Sequence, residues 1–243
     1  MKAGGARISR LTACYRRFKK TRYYDYMQTK NINREEIANT LTHGLGLAAG
    51  LIACIFLLVS AIRNGNGWII GSTGVYSLGM LASYVTSTFY HGSYNPFRKR
   101  VLRKFDHSAI YLFIAGTYTP FTLVLLRNDG AWGWLIFGVV WASAAAGIVL
   151  SFMRMKKTSH LKTICYLGMG WVIVFAFKPL LHTLRATGSL EIMYWLVAGG
   201  LCYTAGAVFF FLDNRYRYMH PVWHLFVMGG TACHFWAIYL LTR

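Results

Sequence analysis

Charged side chains are scarce in this chain. They make up 14% of its 243 residues, while 56% are hydrophobic; soluble globular domains run to about a quarter charged. That balance excludes an ordinary soluble domain. Cysteine supplies no framework either: Cys14, Cys54, Cys165, Cys202 and Cys233 are an odd, scattered set without CxxC spacing. Disulfides are not expected, and the four in apolar stretches read as buried small hydrophobes. Neither GxGxxG nor GxxxxGK[ST] occurs, which removes the usual phosphate-cradling loops. No short apolar region followed by a small-residue cleavage site opens the chain, so no removable signal peptide is expected.

What the chain has instead is long apolar runs. Seven of about 20 residues recur, at roughly 40–62, 67–91, 106–126, 131–153, 161–181, 190–212 and 220–241. Each is long enough to cross a hydrocarbon core of about 30 Å. The gaps between them are short, so the expectation is an all-α integral membrane protein. It divides into a basic N-terminal segment, 1–34, and a seven-transmembrane helix bundle, 35–243. The spans are rich in glycine, among them Gly44, Gly46, Gly50, Gly71, Gly74, Gly79, Gly199, Gly200 and Gly206. Such residues let membrane helices approach closely.

The net charge of +19 would suit a nucleic-acid partner, but its placement argues against one. Ten Lys/Arg fall in 1–34, five in 92–105, four in 154–162 and two in 213–219, which puts 21 on one side of the predicted spans. The other side receives four, Arg63, Arg127, Arg185 and Arg243, with Lys178 left inside a span. The positive-inside rule then makes the N-terminus cytoplasmic and the C-terminus external, the inverse of the G-protein-coupled receptors. Tyr15, Phe18, Lys19, Lys20, Arg22, Tyr23 and Tyr24 make the first segment basic and aromatic, suited to enforcing topology or resting on anionic lipid head groups.

Four prolines punctuate the pattern. Pro96 falls in a loop. Pro120 and Pro179 should each kink or end a span, because proline lacks an N–H and crowds the preceding turn. Pro221 belongs to a first helical turn, where no hydrogen bond is lost, so His220 and His224 sit at the mouth of the last span. Four residues apart, they share a helix face.

Other polar groups reach the same level. Ser83, Ser87 and His91 follow i, i+4, i+8 at the end of the second span. Asp106 and His107 open the third, and Glu36, Asn39 and His43 lie nearly on one face where the first begins. Ionisable groups are costly inside a membrane and usually functional there. Three neutral imidazoles with an open fourth position describe a catalytic zinc site, and zinc lowers the pKa of a bound water towards ~7. The expected ligands are His91, His220 and His224. Asp106 is expected as partner and general base for the water, its plain alternative being an N-cap or dipole contact at a helix start. Ser87 could hydrogen-bond substrate or a developing oxyanion. His43, with Glu36 and Asn39, has either a supporting or a folding role. His107 faces ~100° from Asp106 and reads as structural, and His234 lies near the opposite side of the last helix from His224. His160 and His182 read as interfacial.

On these residues the chain resembles the hemolysin III family, the bacterial branch of the progestin and adipoQ receptor superfamily that includes the adiponectin receptors. The pieces are Glu36-x-x-Asn39-x-x-x-His43, Ser87-x-x-x-His91, Phe105-Asp106-His107-Ser108-Ala109-Ile110, Ala115-Gly116-Thr117-Tyr118-Thr119-Pro120 and His220-x-x-x-His224-Leu225-Phe226-Val227. The resemblance implies zinc on His91, His220 and His224, with Asp106 near its water, an inverted seven-helix topology and a bacterial inner membrane. Receptor relatives are associated with hydrolysis of ceramide-type amide bonds. The aspartate motif departs from the receptors' Asp-Tyr-x-Gly-Ile form. The expected function is therefore a zinc-dependent hydrolase of lipid amide or ester bonds, with membrane lipids as partners and no nucleic acid. One alternative is a non-enzymatic receptor or regulator of membrane homeostasis with structural zinc. The other is a pore-forming cytolytic activity, for which the chain shows no amphipathic segment.

Overall fold

The computed structural model describes the backbone of residues 3–153 and 161–243, with side chains from residue 34 onward within those ranges. The segment 1–34 therefore lies, but for Arg34, outside the described side chains, as do Cys14 and His160. Every described element is helical: α1 Ala3–Asn64, α2 Gly67–Gly92, α3 Pro96–Pro120, α4 Trp132–Phe152, α5 Leu161–Gly170, α6 Phe177–Ala186, α7 Glu191–Leu212 and α8 Met219–Leu241. A π-helical turn, Phe121–Leu125, follows α3, and a 3-10 turn, Val172–Ala176, joins α5 to α6.

Among the described residues, six helical stretches are long and apolar enough to cross a membrane: Arg34–Asn64, Pro96–Leu125, Trp132–Phe152, Leu161–Ala186, Glu191–Leu212 and Met219–Leu241. This is a multi-pass membrane protein. The remaining long helix, α2, has 26 residues, about 39 Å at 1.5 Å per residue, but is more polar than the six. Its Ser72, Thr73, Ser77, Ser83 and Ser87 are all buried. Several hydroxyls of α2 are satisfied locally: Ser72 donates to the Trp68 carbonyl at 2.6 Å, Thr86 to Ala82 at 2.8 Å and Thr88 to Tyr84 at 2.7 Å. Such back-bonding keeps polar side chains tolerable away from water.

α2 packs between α1 and α3. Two glycines bring α2 and α3 together. A Cβ on Gly79 would lie 3.0 Å from the Leu112 carbonyl oxygen, and one on Gly116 would lie 3.1 Å from that of Val75. Each helix thus presents bare backbone to the other, the close approach that small residues allow in membranes.

The elements follow the expected spans closely at α2, α4, α7 and α8. The third span departs. It starts at Pro96, ten residues before the expected 106, because Asn95 caps it by accepting from the Phe97 and Arg98 N–H groups at 3.0 and 3.1 Å, with Pro96 in the first turn. Asp106 and His107 therefore lie in the third turn, and the N-cap alternative for Asp106 is removed. Pro120 ends α3 as expected. At the fifth span the break falls at Trp171–Ala176, upstream of Pro179, which occupies the first turn of α6. The missing Pro179 N–H deprives the Phe175 carbonyl of its helical partner, so regular α-helix stops before it. Tyr118 braces the break: its hydroxyl donates to the Gly170 carbonyl at 2.7 Å and accepts from the Ile173 N–H at 3.0 Å. The four described cysteines are free; only Cys54 is buried, the other three being half-buried.

The two ends of the bundle differ in charge. At one, Lys99 reaches Glu36, Lys162 reaches His107, and the Tyr218 N–H donates to Glu35 at 3.2 Å. Tyr218 opens α8 at φ +62°, a left-handed turn that folds the α7–α8 loop back on α1. At the opposite end Arg127 stacks over Trp68, and Thr242 donates to Ser60 at 2.7 Å.

Candidate metal centre

The three predicted ligands converge at the basic end. His91 closes α2, and His220 and His224 occupy the first two turns of α8. One ring nitrogen from each lies within 4.8 Å of the others, against at most about 4.2 Å for two nitrogens sharing a zinc at 2.0–2.1 Å. Ring centroids are 5.0 Å apart for His91–His220, 5.2 Å for His91–His224 and 4.7 Å for His220–His224. His91 and His224 are buried and His220 half-buried.

The partners of these rings set their tautomers. His91 Nδ1 lies 2.7 Å from Glu36 Oε2, and His220 Nδ1 lies 3.1 Å from Asp213 Oδ2. An ionised carboxylate only accepts, so both imidazoles donate from Nδ1–H. His224 Nδ1 lies 3.0 Å from Thr42 Oγ1, whose hydroxyl is turned to the Ala38 and Asn39 carbonyls at 2.9 and 3.0 Å. With its hydrogen engaged there, Thr42 accepts from His224 Nδ1–H. Each ring therefore keeps a lone pair on Nε2. The Nε2 atoms of His91 and His224 are buried without a hydrogen-bond partner. Buried nitrogens are rarely left so, and this donor set, with each far nitrogen held by a carboxylate or hydroxyl, fits a histidine-bound metal ion.

The helix 1 motif takes a definite place. Glu36 uses its second oxygen to bind Lys99 Nζ at 2.7 Å. His43 stacks on His224 with centroids 3.5 Å apart and planes 25° from parallel, so it orients a ring without reaching the centre. Ser83 and Ser87 are buried with His91 on one stripe of α2. Ser87 faces Asp106 across the α2–α3 contact. Asp106 lies near His220 without joining the three-histidine cluster. Sequence reasoning missed Asp213, Thr42 and Lys99. Asp213 carried a signal, an acid seven residues before His220; Thr42 and Lys99 carried none.

The centre lies at the mouth of a cavity of about 740 Å³, within the range of small-molecule pockets. Along α3 its lining runs from Asp106 through Ile110, Ile114 and Thr117 to Phe121, about 22 Å of helix. Leu167, Val174, Phe177, Leu196, Val197 and Val227 make the rest of its wall largely apolar. His107 lines it as well, accepting at Nδ1 from Lys162 Nζ at 3.4 Å, which corrects the expectation that it turns away. So does His234, deeper in, with Nε2 at 3.2 Å from the Leu196 carbonyl. His182 is exposed at the opposite end.

Known proteins are similar to this chain over most of its length. "Hemolysin-3" of Bacillus cereus is 40% identical over 206 residues, covering 84% of this chain and 90% of that protein. "Hemolysin-3 homolog" of Bacillus subtilis (strain 168) is 39% identical, with 84% and 93% covered. The human "Monocyte to macrophage differentiation factor" is 28% identical over 212 residues, with 84% and 83% covered. The profile of the haemolysin-III-related proteins matches residues 31–235, a stretch that contains every side chain of the centre, and the chain belongs to that family.

Proposed function

We propose that His91, His220 and His224 hold a zinc ion and that the protein hydrolyses an amide or ester bond of a membrane lipid. The observation that carries this reading is the outward anchoring of three Nδ1 atoms by Glu36, Asp213 and Thr42, which leaves Nε2 lone pairs at the mouth of an apolar cavity. When bound there, zinc would supply Lewis acidity for a carbonyl and for water. The chain's own groups supply the rest. Asp106 accepts a proton from the attacking water at a carboxylate oxygen and returns it to the leaving nitrogen or oxygen. Ser87, beside it, offers its hydroxyl to the developing oxyanion. The apolar walls hold the acyl chain and keep water from the scissile bond.

The same reading gives the topology. Seven spans follow if α2 crosses with its polar stripe turned inward, as its buried serines favour. With 21 basic residues at one side against four at the other, the centre faces the cytoplasm and Arg243 the outside. A reporter fused after Arg243 is expected to register outside; a cytoplasmic signal would reverse the assignment.

The function is tested on purified protein in detergent with fatty-acyl amides and esters. Release of free fatty acid, stopped by a strong chelator and restored by zinc, is the expected result. Stoichiometric zinc without turnover across that panel would move the protein to the regulator reading. Leakage of liposomes that survives loss of the histidines would favour the cytolytic one.

A further inference from the structure

We infer that the cavity mouth binds the anionic head of a single-chain lipid, a phosphate or carboxylate held by Arg103 and Lys162 beside the metal centre. The inference rests on the proposed reading of the cavity as a lipid site and narrows its ligand class. Of the described lysines and arginines, only these two line the cavity.

Neither cation has a carboxylate of the described residues as counter-charge, and both face the opening. Four carboxylates line the same mouth, and three have partners of their own. Glu36 binds His91 and Lys99, Asp213 binds His220, and Glu35 accepts from the Tyr218 N–H. No described carboxylate lies within 4.0 Å of Arg103 or Lys162. The like charges that act on Lys162 are Arg103 and Lys104, so an anion between Arg103 and Lys162 would meet positive charge from both sides.

Free donors converge there as well. Lys162 gives one N–H to His107 Nδ1 and one to the Ser151 carbonyl, both at 3.4 Å, and an ammonium has a third. Because His107 accepts at Nδ1, its Nε2 carries the hydrogen. Arg103 and His107 are four residues apart on one face of α3. A guanidinium, an ammonium and an imidazole N–H around one opening form a donor set for phosphate or carboxylate oxygens. The apolar wall starting one turn below, at Ile110, takes the attached chain. A neutral head would offer neither cation a counter-charge.

The test is equilibrium binding to the full chain in nonionic detergent. Oleoyl lysophosphatidic acid, oleate and oleoyl lysophosphatidylcholine share one acyl chain and differ in the head. At least one of the two anions is expected to bind about tenfold tighter than the zwitterion, and which one does identifies phosphate or carboxylate. Arg103→Gln and Lys162→Gln should each weaken anion binding about tenfold while leaving zwitterion binding and metal content as in wild type. Arg103→Lys should recover part of the loss. Equal binding of all three lipids, or anion binding indifferent to both variants, overturns the inference. Inorganic phosphate competing at concentrations equal to the lipid overturns it too, by showing an anion site without a chain requirement. Binding is read without turnover, so failure of the hydrolase reading leaves a distinct result.

Discussion

His224→Ala is expected to purify with almost no zinc and the wild-type protein with about one equivalent per chain, the stoichiometry of a three-histidine site. His224 is fully buried, with Nδ1 on Thr42 and Nε2 free, so its loss removes a ligand and the surface on which His43 stacks. His91→Ala should behave alike. Glu36→Gln is the graded comparison. It keeps the shape but replaces the carboxylate that fixes the His91 tautomer, and loss of such a partner weakens metal binding by about 10–100-fold. Zinc content measured against protein concentration, with gel filtration to confirm the fold, checks the series. A His224→Ala protein that keeps full metal would remove the site from this position.

Asp106→Asn is expected to keep its metal and lose turnover by about 10²–10⁴-fold, the usual contribution of a positioned general acid or base. Asparagine preserves the volume but cannot take up the proton, so the change isolates the proton-carrying function. Metal and fatty-acid release measured on one preparation separate the two roles. Undiminished release would show that another group moves the proton. Lost metal would show that Asp106 holds the centre together instead.

Hydropathy located α2, α4, α7 and α8 to within a residue or two, because apolar run and helix end together there. It failed at α3, whose first ten residues, Pro96–Phe105, carry five basic side chains and give an apolar scan nothing to register; only the Asn95-Pro96 cap marks that start. The histidine cluster was legible because each part is local: His220 and His224 at one helical spacing, His91 at the end of a polar stripe. Thr42 was not, since what selects it is the depth at which α1 passes α8, a property of packing between segments 182 residues apart. His107 was misplaced for a geometric reason. The 100° step from Asp106 matters in a narrow crevice, but this cavity is wide enough to be lined by Arg103, Asp106, His107 and Ile110 together.

The distribution of the centre along the chain also sets when it can exist. Glu36, Thr42, His91 and Asp106 all arrive with the first three helices, joined by a short α2–α3 connection. His220 and His224 are on the last. Chains are synthesised from the N-terminus and their early parts organise first, so a nascent protein has only one of its three imidazoles in place until α8 emerges. On the proposed reading, a chain cut short after α7 would keep most of its apolar mass and hold too few ligands for the ion. Metal binding would then fasten α8 to α1 and α2, helices made long before it.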